Sequence, residues 1–189
     1  MKIAVLGGGH GCYAAAADLS ESGHEVRLWR RDAAALQPVI AAGSIVLKDG
    51  DGSREVRLAL ATADIALALD GAQLIVIPSP AIAQDDIARA MAPHLASGQV
   101  VFLAPGTFGS YAMAQIVRGA GNTADLAWAE TGTLPYLARK HGEREVNVTI
   151  RAVRLPPACT RPAAKRMRSQ SFRRPTRVCM AAVMRCRVR

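Results

Sequence analysis

The sequence predicts a doubly wound α/β fold around a parallel sheet. Short apolar, β-rich runs recur along the first 150 residues, helix-forming stretches separate them, and the first run ends in a cluster of glycines. Repeated alternation of this kind builds a sheet covered by helices on both faces. Half of the 189 residues are hydrophobic, with Ala, Val, Leu and Ile dominant, which suits a packed core and excludes a disordered or coiled-coil chain.

Taken in order, Lys2 to Leu6 reads as a strand, Gly7 to Gly11 as a tight turn and Cys12 to Leu19 as an Ala-rich helix. His24 to Trp29 supplies the next strand and closes a βαβ unit of about 30 residues. Asp32 caps a helix running to about Ala42. Ile45 to Leu47 and Val56 to Leu60 flank Asp49-Gly50-Asp51-Gly52, a hairpin signal read as a small β insertion. A short helix at Ala63 to Leu69 then leads to a buried strand, Leu74 to Ile77, and a helix at Gln84 to Leu95. A second buried strand at Val100 to Leu103, a helix at Ser110 to Val117 and a strand at Leu126 to Ala129 follow. Alternating Val146, Val148 and Ile150 form the final strand.

The net charge of +9 is unevenly placed. Residues 159–189 hold ten basic residues and no acidic one, leaving fourteen basic against fifteen acidic residues before them. The main domain, residues 1–158, is therefore almost neutral, and nucleic acid is not an expected partner for it. The tail, residues 159–189, shows no apolar face and no aromatic interleaving. It reads as disordered or as the product of a shifted reading frame, with a nucleic-acid-binding arm as the competing reading. The start is apolar too briefly for a signal peptide, and no stretch reaches the roughly 20 apolar residues of a membrane span, which places the chain in the cytoplasm. The four cysteines lack metal-ligand or disulfide spacing, so no metal site is expected.

Chemistry is concentrated at strand ends. Gly7-x-Gly9-x-x-Cys12 is a dinucleotide-binding fingerprint with Cys at the usual third glycine. Gly7 permits the turn, Gly8 and Gly9 let the backbone approach a pyrophosphate, and the helix from His10 and Gly11 aims its N–H groups and positive dipole end at it. Cys12 is small enough for the close helix–strand packing the third position requires. The cofactor is therefore NAD or NADP in a Rossmann domain. Arg30 and Arg31 stand where an acidic residue would receive the ribose of NAD, and their guanidinium groups favour the 2′-phosphate of NADP, while Asp32 keeps NAD open. The loops Pro78-Ser79-Pro80 and Pro105-Gly106 are expected along the cofactor toward its nicotinamide end.

Glu130, Thr133, Tyr136 and Arg139 give a carboxylate, two hydroxyls and a cation on one loop after a strand, a set suited to orienting a carboxylated substrate or, alternatively, to a self-bonded loop with a Glu130–Arg139 pair. With Leu6 to Gly11 and Pro105-Gly106, the run Glu130-Thr131-Gly132-Thr133-Leu134-Pro135-Tyr136-Leu137-Ala138-Arg139 resembles the octopine and nopaline (opine) dehydrogenase family over about residues 1–158. That resemblance implies an NAD(P)-dependent oxidoreductase that reductively couples a 2-oxo acid to the amino group of an amino acid. It also implies a second, helical domain carrying the catalytic histidine, which is absent from these 189 residues, so no catalytic residue is assigned and cofactor binding alone is expected of this chain. A more distant resemblance, to glycerol-3-phosphate dehydrogenase or ketopantoate reductase, rests on Val26 to Asp32, although Gly11-Cys12 stands where the former carries Trp-Gly. The alternative of another class is a non-catalytic nucleotide-binding protein with a basic interaction tail.

Overall fold

The computed structural model describes residues 1–152 and 155–160. Eleven strands and five α-helices follow one another among these residues. They are β1 (Lys2–Leu6), α1 (His10–Glu21), β2 (Glu25–Trp29), α2 (Gln37–Ala42), β3 (Ser44–Asp49), β4 (Gly52–Arg57), β5 (Leu60–Thr62), α3 (Ile65–Leu69), β6 (Leu74–Ile77), α4 (Ala81–Met91), β7 (Val100–Leu103), α5 (Gly109–Gly119), β8 (Ala127–Glu130), β9 (Tyr136–His141), β10 (Glu145–Arg151) and β11 (Ala158–Thr160).

Seven strands form one sheet in the order β11-β8-β7-β6-β1-β2-β5. All neighbours are parallel except β11, which runs antiparallel to β8. The order reverses at β1, giving the doubly wound arrangement expected from the sequence. Alternate side chains go to two cores: Ile3 and Val5 to one face, Ala4 and Leu6 to the other. Burial on both faces is why these strands read as unbroken apolar runs.

The hairpin around Asp49 to Gly52 is present as β3 and β4, but it is not an isolated insertion. It joins β10 and β9 in a second sheet of order β4-β3-β10-β9. The strand carrying Val146, Val148 and Ile150 therefore belongs to this second sheet rather than closing the parallel one. The segment expected as a loop through Arg139 likewise becomes a strand from Tyr136 onward. β5, an edge strand beside β2, was not anticipated.

The second sheet packs on α1, and the parallel sheet lies on that helix's opposite side. Cys12, Tyr13, Ala14, Ala15, Ala16, Ala17 and Leu19 are all buried. A helix enclosed by two sheets needs small side chains around its circumference, which accounts for the four-alanine run. The described chain continues two residues past the expected boundary at residue 158, because Cys159 and Thr160 pair with Ala129 and Trp128. The expectations for residues 161–189 lie outside the described residues. Among the described residues no helix is long and apolar enough to cross a membrane.

Candidate cofactor site at the carboxyl ends of the parallel strands

β1 ends at Leu6, and Gly7 turns the chain with φ +125°, a conformation that favours glycine. A Cβ on Gly7 would stand 2.6 Å from Ser79 Oγ and 2.7 Å from Cys12 Sγ. The turn is thus clasped from beneath. Ser79 Oγ donates to the Leu6 carbonyl at 3.3 Å, and Cys12 Sγ lies 3.7 Å from Leu6 O and 3.8 Å from Pro78 O. Burial pushes the Cys12 thiol up from its ordinary value. Cys12 is buried between helix and strand, the packing expected of the third position, and Pro78 and Ser79 are buried as well, their side chains supporting the turn. Pro80 remains exposed at the start of α4.

The opposite side of the turn is open. A Cβ on Gly9 would meet nothing within 4 Å. Gly9 is the N-cap of α1 in extended conformation, no side chain caps the helix, and its first turn contains no acidic residue. Uncapped N–H groups beneath open space form the anion cradle that a pyrophosphate requires, so the residues fit the cofactor. His10, the first helical residue, accepts a hydrogen bond at Nδ1 from the Lys140 backbone N–H at 2.8 Å. In a neutral ring this leaves the proton on Nε2. Lys140 in turn places Nζ 4.2 Å from the Tyr13 ring centroid. Neither the contact of β9 with this turn nor its partner Lys140 had a signal in the sequence.

Arg30 lies across the turn: a Cβ on Gly8 would stand 2.5 Å from its Cδ. Its Nη1 donates to Ala35 O at 3.2 Å, and Asp32 is 3.8 Å away. Asp32 Oδ1 accepts from Ala35 N at 3.0 Å and so is occupied in ordering this loop. Arg31 points elsewhere, pairing with Asp86 of α4 at 2.9 Å with both side chains exposed. The two arginines are therefore not equivalent, and only Arg30 touches the glycine turn.

After β7 comes Pro105, joined to Ala104 by a cis peptide bond, then Gly106, Thr107 and Phe108. Glu130 at the end of β8 accepts from the Phe108 and Ser110 backbone N–H groups, each at 3.0 Å. The expected Glu130, Thr133, Tyr136 and Arg139 constellation does not assemble. Tyr136 Oη donates to Asp18 on α1 at 2.9 Å, and Arg139 donates to Ala138 O, not to Glu130. Thr133 is exposed, and its carbonyl accepts from Thr131 Oγ1 at 2.9 Å. Three residues apart on β9, Tyr136 and Arg139 stand on opposite faces of the strand. The Glu130–Arg139 pair is also not formed, because the carboxylate is engaged by backbone.

Toward the far end of α1, the Asp49 side chain is only 1% exposed and receives Arg54 at 2.7 Å and Arg151 at 2.6 Å. Arg54 also pairs with Glu21, and Arg151 with Asp18 at 2.9 Å. The two arginines hold the Asp49 carboxyl well below the usual carboxylate range. This network ties the second sheet to α1. Among the described residues no group of three or more His, Cys, Asp or Glu side chains is arranged to hold a metal ion.

Residues 2–107 match the family model described as NAD-dependent glycerol-3-phosphate dehydrogenase N-terminus. The opine dehydrogenase of Arthrobacter sp. (strain 1C) is 34% identical over 165 residues, which is 86% of this chain and 45% of that protein. The glycerol-3-phosphate dehydrogenase [NAD(P)+] of Nitratidesulfovibrio vulgaris (strain DP4) is 36% identical over 107 residues, 53% of this chain and 30% of that protein. The solved structure of octopine dehydrogenase in complex with NADH and agmatine superposes with TM-score 0.74 at 25% identity, covering 89% of this chain and 44% of that one. The resemblance to opine dehydrogenases, and the more distant one to glycerol-3-phosphate dehydrogenase, are both borne out. The chain spans less than half the length of each of these proteins.

Proposed function

The chain belongs to the NAD-dependent glycerol-3-phosphate dehydrogenase N-terminus family, and from that premise we propose that it is the cofactor-holding unit of an NAD(P)-dependent oxidoreductase of opine dehydrogenase type. The observation that carries this reading is the open, uncapped cradle over Gly9 at the reversal of strand order. The opine assignment is favoured because the likeness to opine dehydrogenase extends over 86% of the chain, past the residues of the family model. In that reading the substrates are a 2-oxo acid and an amino acid, coupled by reduction.

When bound, the nicotinamide supplies hydride. The chain's own residues bind and orient. Gly7 to Gly11 and the start of α1 receive the pyrophosphate, Nε2–H of His10 adds a donor, and Arg30 lies where a 2′-phosphate would be met, so NADP is preferred over NAD. Arg31, held by Asp86, contributes little. Among the described residues beside the crevice, His10 and Glu130 already spend their acceptor atoms on backbone N–H groups. A proton-transfer group must stand within about 3 Å of the reacting atom, and neither is free to move there. The 189-residue chain is therefore expected to bind cofactor without turning over.

A second reading, a glycerol-3-phosphate or ketopantoate type of reduction, is favoured by the family match itself. One experiment tests the cofactor assignment and the expected lack of turnover together. The purified chain is titrated with NADPH and NADH by calorimetry, then offered pyruvate with a panel of amino acids, or dihydroxyacetone phosphate, or ketopantoate, while nicotinamide absorbance is followed. Binding without turnover is the expected result. Turnover of either phosphate or pantoate substrate would replace the opine reading, and absence of binding would end the cofactor assignment.

A further inference from the structure

Glu130 is the carboxylate that the sequence places nearest a substrate, yet both of its oxygens are committed to the protein's own backbone. Oε1 accepts from Phe108 N–H and Oε2 from Ser110 N–H, each at 3.0 Å. The loop so held contains two consecutive non-glycine residues in the left-handed region, Thr107 at φ +52° and Phe108 at φ +65°. Such residues are costly and persist only where their surroundings over-determine them.

The surroundings here come from two directions. From β8, Thr131 O accepts from Gly106 N–H at 2.9 Å, and a Cβ on Gly106 would stand 2.2 Å from Glu130 Cβ. From α4, the buried side chain of Gln84 closes against Gly109, where a Cβ would stand 2.0 Å from Gln84 Oε1. The loop is thus clamped by its backbone while its side chains are left out: Phe108 is 82% exposed. Thr107 is exposed beside it. A core that only needed to close a turn would place glycine at these positions and bury the ring.

The location gives the clamp a purpose. The glycine turn and Arg30 lie over β1 and β2, so the adenosine and pyrophosphate half of a dinucleotide sits there. Strand order places β7 two positions from β1 on the other side, at the carboxyl ends where ligands bind. We infer that Glu130 is a positioning residue, whose carboxylate holds the Thr107–Phe108 turn in its left-handed form against the nicotinamide half of the cofactor without touching it. The inference rests on the dinucleotide reading above. A carboxylate is required because each N–H needs its own acceptor. An amide of the same shape has one oxygen and would turn an NH₂ group toward the other donor.

The test uses the whole chain and two probes, NADH and ADP-ribose, which lacks only the nicotinamide. Glu130→Gln weakens NADH at least fivefold and leaves ADP-ribose within twofold. In the Thr107→Gly background, where one of the two left-handed residues no longer carries a penalty, the same substitution costs NADH binding less. A merely structural role would weaken both probes alike or neither, and either result overturns the inference while wild-type ADP-ribose binding keeps the dinucleotide reading. Failure of the wild-type chain to bind ADP-ribose overturns both. Should Glu130→Gln not fold, amide exchange in the wild-type chain decides. Slowing of Phe108 and Ser110 exchange by NADH beyond that by ADP-ribose supports the clamp, and equal slowing by the two overturns it.

Discussion

The glycine turn at Leu6 to His10 and the segment from Glu130 to Arg139 are both rich in groups that suggest chemistry, and they fare differently in the fold. The turn works through its backbone: a positive φ at Gly7, open space over Gly9 and the start of α1 are main-chain features written by the glycines themselves, which Ser79 and Cys12 then support from beneath. The second segment works through side chains whose partners are distant. Glu130 meets residues 108 and 110, and Tyr136 meets Asp18 at a separation of 118 residues. A pattern in sequence reports geometry that the chain makes locally. It does not report which distant element will claim a side chain.

The comparison can be tested by breaking the second segment's framework and asking whether the turn still binds. The largest effect is expected at Asp49, whose carboxylate is buried between Arg54 and Arg151. Asp49→Asn should cost about 3 kcal/mol, the lower end of the range for breaking a buried pair, since both arginines keep a second acidic partner. Thermal melting would show this as a fall of roughly 6–12 °C for a chain of this size. The depressed pKa of Asp49 fixes the sign with pH. Its stabilisation is fully present above the ordinary carboxylate value of about 4 and is lost as pH falls below it, so acid should reduce wild-type stability more steeply than that of Asp49→Asn.

A smaller loss follows for Tyr136→Phe, which removes the hydroxyl donating to the Asp18 carboxylate. About 1.5 kcal/mol of stability should go, read by urea unfolding, with cofactor affinity unchanged. If cofactor affinity fell as well, Tyr136 would belong to the ligand site after all.

Much of the fold was legible because the parallel strands are buried on both faces and their turns carry glycine or proline. The second sheet was not. Its four strands come from segments a hundred residues apart, and β3 with β10 pair in parallel, which no hairpin signal can announce. The Ala-rich run forms the helix its composition predicts, but that composition also records burial between two sheets, a relation visible only in three dimensions. Gly7, Gly9, His10 and Arg30 gather at one turn and Cys12 packs beneath it as a small third residue should, whereas the burial of the Pro78 and Ser79 side chains under Gly7 had no local signal. Arg31 shows the same lesson on the surface, where a nearby Asp86 claims it.

The arginines sharpen the comparison further. Arg30→Ala should weaken NADPH about tenfold, or about 1.4 kcal/mol, with little change for NADH, while Arg31→Ala should change either by less than twofold because its exposed pair contributes little. Equal losses from the two substitutions in paired titrations would mean that both reach the cofactor. The smallest effect is expected at Arg139, which is exposed and donates to its neighbouring carbonyl. Arg139→Ala should leave stability within about 0.5 kcal/mol and cofactor affinity unaltered.

The most direct measurement is calorimetric titration of the chain and its Gly9→Val variant with NADPH. A Cβ at Gly9 meets only open space, so the variant should melt within a few degrees of the wild type, while its branched side chain fills the cradle. The account predicts clear binding by the wild type and at least a hundredfold loss in the folded variant. Equal affinity in the two proteins would contradict the placement of the pyrophosphate over this turn.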